Sequence, residues 1–287
     1  MITQSVDMGV FQVPYFEQEV NTSHPHLTWI GHSTFMMEIE GMVFLTDPIW
    51  SKRCTPFYFP FRFLGVKRQE KIPMGLKDLK KVDVVLISHN HYDHLDKYTI
   101  KKLHQKFPNI TWFVPKGLKK WFDKRKIENV IELDWWERSN QKDYWIEAVP
   151  VKHMAYRLLF DYNKSKCAGF VLNVKGKSVY FVGDTAYRES IFRAVSEKFK
   201  SFTLSLIPIG AYYPRMLFKN MHICPIQAVK IHQIIKSKMS IACHWNTFRL
   251  TFEKKLTPVK ELVQALKDKK ITLDEFCVVK IGQTINW

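Results

Sequence analysis

The sequence predicts an α/β protein, a four-layer αββα sandwich in which two mixed β-sheets pack face to face and helices cover their outer faces. Apolar runs of strand length recur along the 287 residues, and many are β-branched or aromatic and end at Gly, Pro, Asp or Asn. Strands form a hairpin-rich block and then alternate with amphipathic helices, and the second half repeats this order. Such an order favours two packed sheets with the helices outside.

The predicted elements follow one another without long gaps. Glu40-Gly41 and Lys175-Gly176 are typical of tight turns between antiparallel strands. Pro225 and Pro258 suit the first turn of a helix. The predicted strands are 27–30, 34–39, 42–46, 82–87, 110–114, 144–151, 169–174, 178–182, 204–209 and 239–243. The predicted helices are 190–199, 225–236 and 258–268.

The chain shows no sign of division into several units. No linker rich in Gly, Ser or Pro interrupts it, so we expect one domain over residues 1–287, with residues 1–26 as an N-terminal extension. It has no signal-peptide pattern and no apolar run long enough to cross a membrane. Its five cysteines are scattered and contain no CxxC pair, which suits a reducing compartment. These features predict a cytoplasmic protein, with a peripheral membrane contact left open.

The composition is strongly basic. The chain has 44 Lys+Arg against 27 Asp+Glu, a formal net charge of +17. This charge favours anionic partners, namely phosphate-bearing substrates, nucleic acid or acidic membranes. Because the lysines are spread along the chain, a solvated basic surface explains the charge equally well.

Residues 88–96, SHNHYDHLD, carry the clearest chemical signal. They follow directly on the predicted strand 82–87, and a loop leaving a buried strand can aim alternate side chains at adjacent metal ions. Imidazole nitrogen and carboxylate oxygen are donors that Zn²⁺ accepts. Polar groups of this kind are not packed together without a partner. The segment therefore predicts half of a dinuclear metal site, with the candidate ligands His89, His91, Asp93 and His94.

Three further strand ends carry candidate ligands, because two metal ions usually need more side chains than one loop supplies. Asp184 follows the predicted strand 178–182 and suits a bridging carboxylate. His244 follows the strand 239–243, and His153 follows the strand 144–151. Each signal is weak alone, and together they complete the predicted site.

With these residues in this order, the chain resembles the metallo-β-lactamase superfamily. Within it, the chain most resembles the phospholipases D that hydrolyse N-acyl-phosphatidylethanolamine and their bacterial relatives. The closer resemblance rests on the segments GHST (31–34), LTDPI (45–49), ELDWWE (132–137), IPIGAY (207–212), Pro214-Arg215 and His244-Trp245, together with 87–96. They span most of the chain from about residue 27 onward.

The resemblance implies a role for each ligand. His89, His91 and His153 would hold one zinc ion, and Asp184 would bridge to a second. The ligands implied for the second ion are Asp93, His94 and His244. Mn²⁺ or Fe²⁺ are alternatives to Zn²⁺. The implied catalytic residues are Asp93, Asp184 and His222, of which His222 would contact the substrate phosphate or protonate the leaving group.

The sequence leaves the roles of three further residues open. Asp47 and Asp96 fit residues that orient the ligating imidazoles, and a turn or helix-cap role fits them equally well. Cys224 stands where relatives tend to carry a polar or acidic residue, two positions after His222. Its effect on the hydrogen bonding of His222 is left open.

Residues 56–68, PFYFPFRFLGVKR, combine aromatic side chains with cations. This is what an anchor at a membrane interface needs, and a loop packed on the core or on a second subunit is the alternative. The candidate membrane or substrate contacts are Phe57, Tyr58, Phe59, Phe61, Arg62 and Phe63.

The resemblance implies a dinuclear zinc phosphodiesterase that releases N-acylethanolamine and phosphatidic acid from N-acyl-phosphatidylethanolamine. A phospholipid or another phosphodiester is therefore the expected substrate, and nucleic acid is not expected as a partner. Lactonases, nucleases and cyclic-nucleotide phosphodiesterases with the same metal motif are alternatives. A basic membrane-binding or nucleic-acid-binding module without catalysis is the alternative from another class.

Overall fold

A computed structural model of the protein describes residues 11–55, 61–157 and 164–287. Its strands are β1 (His26–Gly31), β2 (Thr34–Ile39), β3 (Met42–Thr46), β4 (Arg53–Cys54), β5 (Val66–Lys67), β6 (Val84–Leu86), β7 (Thr111–Pro115), β8 (Val130–Leu133), β9 (Arg138–Asn140), β10 (Tyr144–Pro150), β11 (Ala168–Val174), β12 (Lys177–Phe181), β13 (Phe202–Pro208), β14 (Ser237–Cys243), β15 (Phe276–Cys277) and β16 (Thr284–Asn286). Its α-helices are α1 (Lys97–Lys106), α2 (Lys119–Asp123), α3 (Glu189–Phe199), α4 (Arg215–Phe218), α5 (Pro225–Ile234) and α6 (Thr257–Lys269). Short 3₁₀ helices span Phe61–Leu64 and Leu76–Asp78.

The strands form two seven-stranded mixed sheets and one small two-stranded sheet. The first sheet has the order β16-β1-β2-β3-β6-β7-β8, and the second has the order β15-β14-β13-β12-β11-β10-β9. In both sheets a block of antiparallel hairpin strands adjoins a block of parallel strands. Each strand and helix predicted above is present, with ends that differ by a few residues.

Alternation of side chains in the central strands explains the layers. Val84 and Leu86 of β6 join the apolar core between the two sheets, whereas Val85 packs on the opposite face with Ile100 and Leu103 of α1. Successive residues of a strand point to opposite faces, so a strand covered on both sides must be apolar at every position. Helices α3, α5 and α6 cover the second sheet. The predicted four-layer αββα class is confirmed.

The two predicted hairpin turns have the backbone that their residues favour. Glu40 and Gly41 have φ of 51° and 74°, and Lys175 and Gly176 have φ of 47° and 87°. Positive φ at both central residues is the geometry of the tight turn whose twist matches that of the adjoining strands. The turns therefore fix the pairing of β2 with β3 and of β11 with β12.

The described part of the N-terminal extension lies on the core. Residues 11–25 form no helix or strand, and Phe11, Val13, Tyr15 and Phe16 pack against the main hydrophobic core. Strand β1 begins at His26, one residue inside the predicted extension. Within the described ranges no helix is both long and apolar enough to span a bilayer.

Candidate metal centre

All the predicted ligands lie where strands end at one edge of the two sheets. Residues 88–96 follow β6, His153 follows β10, Asp184 follows β12 and His244 follows β14. Strands β10, β12 and β14 run in the same direction in the second sheet, so their carboxyl ends meet at one edge. The fold therefore brings together residues that are separated by up to about half the chain.

Three imidazole nitrogens form the first group of candidate donors. Nε2 of His89 lies 2.8 Å from Nδ1 of His91, and Nε2 of His153 lies 3.3 Å from that same Nδ1. Nitrogens bound to one tetrahedral ion at ~2.0–2.1 Å are about 3.3 Å apart. The three nitrogens are thus spaced as ligands of a single metal ion.

The second group contains two imidazoles and a carboxylate. Nε2 of His94 lies 3.2 Å from Nε2 of His244 and 3.2 Å from Oδ2 of Asp93. The distance between Nε2 of His244 and Oδ2 of Asp93 is 3.6 Å. These are the residues that the resemblance assigns to the second ion.

Asp184 lies between the two groups. Its Oδ2 is 3.0 Å from Nε2 of His244, 3.2 Å from Nε2 of His94 and 4.0 Å from Nε2 of His153. The carboxylate therefore faces ligands of both groups, which is the position that a bridging ligand needs.

Hydrogen bonds to the other ring nitrogens orient three of the imidazoles. Nδ1 of His94 donates to Oδ2 of Asp47 at 2.6 Å, and Nδ1 of His153 donates to the carbonyl of Met221 at 2.8 Å. Nδ1 of His89 is 2.9 Å from Oγ of Ser88, which itself donates to Oδ2 of Asp47 at 2.5 Å. Each Nδ1 thus carries the proton, and each Nε2 presents its lone pair to the centre.

The charges of the donor set fit divalent cations. Burial opposes ionisation of Asp93 and Asp184, yet neighbouring imidazoles, His94 for Asp93 and His244 for Asp184, hold the pKa of both carboxyls well below the usual range. Burial likewise opposes a charge on His94, but the carboxylates around it raise its pKa well above the usual value. Two buried carboxylates therefore require positive charge beside them, and metal ions would replace protons there.

An unpartnered atom supports the same fit. Among the described residues, the buried atom Oδ1 of Asp184 has no hydrogen-bond partner. Leaving a buried polar atom without a partner costs free energy. The residues present therefore fit a dinuclear metal site, both in their spacing and in the chemistry of their donor atoms.

A cleft of about 300 Å³ opens onto this centre. His91, Asp93 and Asp184 line it, together with the apolar side chains of Phe218 and Leu250. His222 also lines the cleft, with Nδ1 3.7 Å from Oδ2 of Asp184. A substrate that enters the cleft therefore contacts candidate metal ligands and also His222.

Comparison with known proteins identifies the family. The Beta-lactamase superfamily domain matches residues 43–245, which include all seven candidate ligands. The chain belongs to the metallo-β-lactamase superfamily. It is a metal-dependent hydrolase of that superfamily, as the resemblance in sequence implied.

Two curated relatives match most of the chain. The N-acyl-phosphatidylethanolamine-hydrolyzing phospholipase D 1 of Caenorhabditis elegans is 39% identical over 269 residues, 89% of this chain and 74% of that one. The mitochondrial N-acyl-phosphatidylethanolamine-hydrolyzing phospholipase D of Saccharomyces cerevisiae is 34% identical over 274 residues. The chain spans 57% of the length of the yeast protein.

A solved structure shares the metallo-β-lactamase fold at low sequence identity. The metallo hydrolase Igni18 from Ignicoccus hospitalis superposes with a TM-score of 0.65, covering 91% of this chain and 97% of that chain at 19% identity. At this identity the likeness supports the fold alone.

The two acidic residues predicted to orient the ligating imidazoles, Asp47 and Asp96, have different positions. Asp47 is fully buried and accepts hydrogen bonds from His94 and Ser88, so it contacts the metal centre directly. Asp96 instead caps α1: it accepts from the backbone of Tyr98 and from Ser51. None of its hydrogen bonds within the described residues reaches an imidazole. The hydrogen bonds of Asp96 therefore support the cap role.

Cys224 does not weaken the support of His222. Cys224 is the N-cap of α5, and its backbone N–H donates to Oε1 of Gln227 at 3.2 Å. The carbonyl of His222 accepts from Nη1 of Arg215 at 2.8 Å, and Nη2 of Arg215 donates to Oε1 of Gln227 at 3.1 Å. Arg215 therefore fixes the backbone that carries His222.

Sequence reasoning missed His32 as a site residue. Its Nε2 donates to Oδ2 of Asp93 at 2.8 Å, and its ring centroid lies 4.0 Å from that of His244. Burial lowers the pKa of His32 to about 3, so the imidazole is neutral. The only signal in the sequence was the position of His32 in the GHST segment at the end of a strand.

Arg157 was missed as well. Its guanidinium donates to the carbonyls of Asn90 and Leu95 and lies over the ring of Tyr92. It thereby binds the ligand-bearing loop after β6 to the second half of the chain.

The predicted aromatic contacts are only partly described. Phe57, Tyr58 and Phe59 lie outside the described residues. The backbone of Phe61 and Arg62 belongs to the 3₁₀ helix Phe61–Leu64, and the side chain of Phe63 is exposed.

Proposed function

We propose that this hydrolase is a phosphodiesterase of the phospholipase D type, which releases N-acylethanolamine and phosphatidic acid from N-acyl-phosphatidylethanolamine. The observation that carries the proposal is the position of Asp184 between two groups of donors spaced for one metal ion each. A centre of this kind suits displacement at a phosphodiester. The names of the worm and yeast relatives supply the lipid substrate.

In this proposal two Zn²⁺ ions occupy the centre, with Mn²⁺ or Fe²⁺ as alternatives. His89, His91 and His153 would hold one ion. Asp93, His94 and His244 would hold the other, and Asp184 would bridge them. When bound, such ions neutralise charge on a phosphoryl group and lower the pKa of water.

His222 is the proposed contact for the substrate phosphate. Burial lowers the pKa of His222 well below its usual value, so its imidazole is neutral and carries one N–H. It lies in the cleft beside Asp184 and can donate a hydrogen bond to a phosphate oxygen or to the leaving alkoxide. A positioned donor of this kind contributes ~10²–10⁴-fold to rate.

The cellular setting is part of the proposal. We place the protein in the cytoplasm, in peripheral contact with anionic lipid, because its +17 charge favours such a surface and phospholipid substrates reside there. A homodimer formed through the aromatic segment 56–68 is the alternative to this membrane contact.

The test is product release from N-acyl-phosphatidylethanolamine in detergent micelles and in vesicles, with a general phosphodiester beside it. Purified, zinc-loaded protein is expected to release N-acylethanolamine and phosphatidic acid, and Asp184→Asn is expected to release neither. Cleavage of the general phosphodiester alone would keep the metal chemistry and reject the lipid. Cleavage of lactones or nucleotides alone would identify one of the alternative hydrolases.

A further inference from the structure

The mouth of the cleft carries exposed apolar side chains that chemistry at the metal centre does not require. Met216 and Phe252 are 78% and 67% exposed, and Leu217 and Tyr213 are 58% and 53% exposed. Large apolar side chains gathered on a surface mark a site of contact with another apolar body. We refer to the surface formed by Tyr213, Met216, Leu217 and Phe252 as the apolar lip.

The apolar lip is continuous with the walls of the cleft. Met216 and Leu217 lie in α4 directly before Phe218, which lines the cleft. Phe252 directly follows Leu250 and Thr251, which also line it. Whatever covers the lip therefore lies at the entrance through which a substrate reaches the metal centre.

Hydrogen bonds hold the two segments of the lip together. The backbone N–H of Phe252 donates to the carbonyl of Tyr213 at 3.2 Å. The carboxylate of Glu253 accepts from the backbone N–H groups of Ala211 at 2.5 Å and Tyr213 at 3.2 Å. The apolar lip is thus a fixed surface built from two separate parts of the chain.

Cations accompany the apolar lip. Lys219, Arg249 and Lys254 are exposed and lie within two residues of its members or of the cleft lining. None of them has an ion-pair partner among the described residues. Apolar side chains that enter the acyl boundary, with cations at the level of the phosphates, form the arrangement that binds an anionic bilayer.

We infer that the apolar lip docks on the surface of a bilayer containing anionic phospholipid, so that the cleft opens toward the lipid. The inference rests on the proposed function in one respect, since a lipid substrate must leave a bilayer to reach the centre. A second copy of the chain fits this surface less well. A symmetric contact centred on the lip would bring the cations of both copies together.

The test measures cosedimentation of the zinc-loaded protein with vesicles that contain no substrate. One set is phosphatidylcholine alone, and the other is phosphatidylcholine and phosphatidylserine in equal parts. The wild type is expected to bind the anionic vesicles more strongly. The double variant Met216→Ser/Leu217→Ser is expected to lose about tenfold or more in partition coefficient, because one large apolar side chain that enters an apolar phase contributes at least that factor. Phe252→Ser tests the second segment independently.

The matched control is Val20→Ser, which removes an exposed apolar side chain of the N-terminal segment. It is expected to bind as the wild type does. Arg249→Glu is expected to weaken binding to anionic vesicles only, which supports the role of the cations without altering the apolar side chains. Thermal unfolding of each variant checks that it is folded.

Wild-type binding to neither vesicle set, or unchanged binding by all the lip variants, would overturn the inference. So would a wild-type dimer in solution that the lip variants convert to a monomer while vesicle binding stays unchanged. Failure of the proposed function is a separate result: it appears as no hydrolysis of N-acyl-phosphatidylethanolamine in detergent micelles, where no bilayer is present.

Discussion

His32 is predicted to stabilise one metal ion of the pair and not the other. It donates to Asp93, its carbonyl accepts from the backbone N–H of His244 at 3.0 Å, and its ring lies 5.1 Å from that of His94. These are the three ligands proposed for the second ion. No hydrogen bond between described residues joins His32 to the first group of donors, so its loss is expected to affect the two ions unequally.

The contact with Asp93 sets the magnitude. Both side chains are buried, so the hydrogen bond is not shared with bulk water. A hydrogen bond to a charged group contributes ~1.5–3 kcal/mol. At ~1.4 kcal/mol per factor of ten this corresponds to a roughly 10- to 100-fold loss of affinity. Substitution of residues that orient metal ligands typically costs the same ~10–100-fold.

Two variants separate the hydrogen bond from other effects. His32 has a φ of 56°, a left-handed value that Asn tolerates well, and the Asn side chain is too short to reach Asp93. His32→Asn therefore removes the contact without adding backbone strain. His32→Phe keeps a ring against His244 and removes the donor. His26→Asn, at the start of the strand β1 that His32 directly follows, is the matched control.

The assay is metal content after equilibration with a graded series of chelator concentrations, followed by mass spectrometry. Both His32 variants are expected to lose one equivalent at chelator concentrations where the wild type and His26→Asn keep both. Parallel loss of both ions, or full retention of both by either variant, would refute the reasoning. Activity is expected to fall with the loss of the first equivalent.

Three further predictions follow from the same centre. Asp184→Asn should abolish metal binding and activity together because the carboxylate faces both donor groups, whereas His222→Ala should keep its metal and lose ~10²–10⁴-fold in kcat. Metal analysis of both variants tests this difference, and metal loss in His222→Ala would contradict the proposed role of His222. Arg215→Ala should lower kcat with unchanged metal content by releasing the backbone of His222, while the surface variant Arg188→Ala should leave kcat unchanged. Equal effects on kcat would argue against a role of Arg215 in positioning His222. Removal of metal by chelation should lower the Tm, since a ligand at a hundredfold its Kd stabilises by ~2.7 kcal/mol; an unchanged Tm would show that the ions do not stabilise the fold.

The layered architecture was predictable because its central elements are locally encoded. Each buried strand is a short apolar run, and the turns at Glu40-Gly41 and Lys175-Gly176 are encoded by glycine. The missed elements depend on distant partners. Strand β16 has three residues and pairs with β1 from the other end of the chain. Helix α1, with only Thr99, Ile100 and Leu103 buried, presents too narrow an apolar stripe to stand out.

The candidate ligands were predictable because polar residues at strand ends meet at one sheet edge. His153 and His244 gave weak local signals, and the parallel direction of their strands brings them together. The residues that support the ligands gave almost no signal. Arg157 and Arg215 act through carbonyl groups of other segments, and no sequence pattern marks a carbonyl as an acceptor.

The backbone at the centre shows why these side chains stand where they do. His32, Asp47 and His244 have φ of 56°, 33° and 59°, in the left-handed region that costs non-glycine residues ~1–2 kcal/mol each. Glycine would avoid this cost at each position, but it would remove a proposed ligand or the side chain that orients one. Backbone hydrogen bonds offset part of the strain, since the N–H of Asp47 donates to Leu86 and that of His244 donates to His32. The fold thus holds three polar residues in an unfavourable conformation at one sheet edge. In this conformation they supply or orient donor atoms that face a common centre.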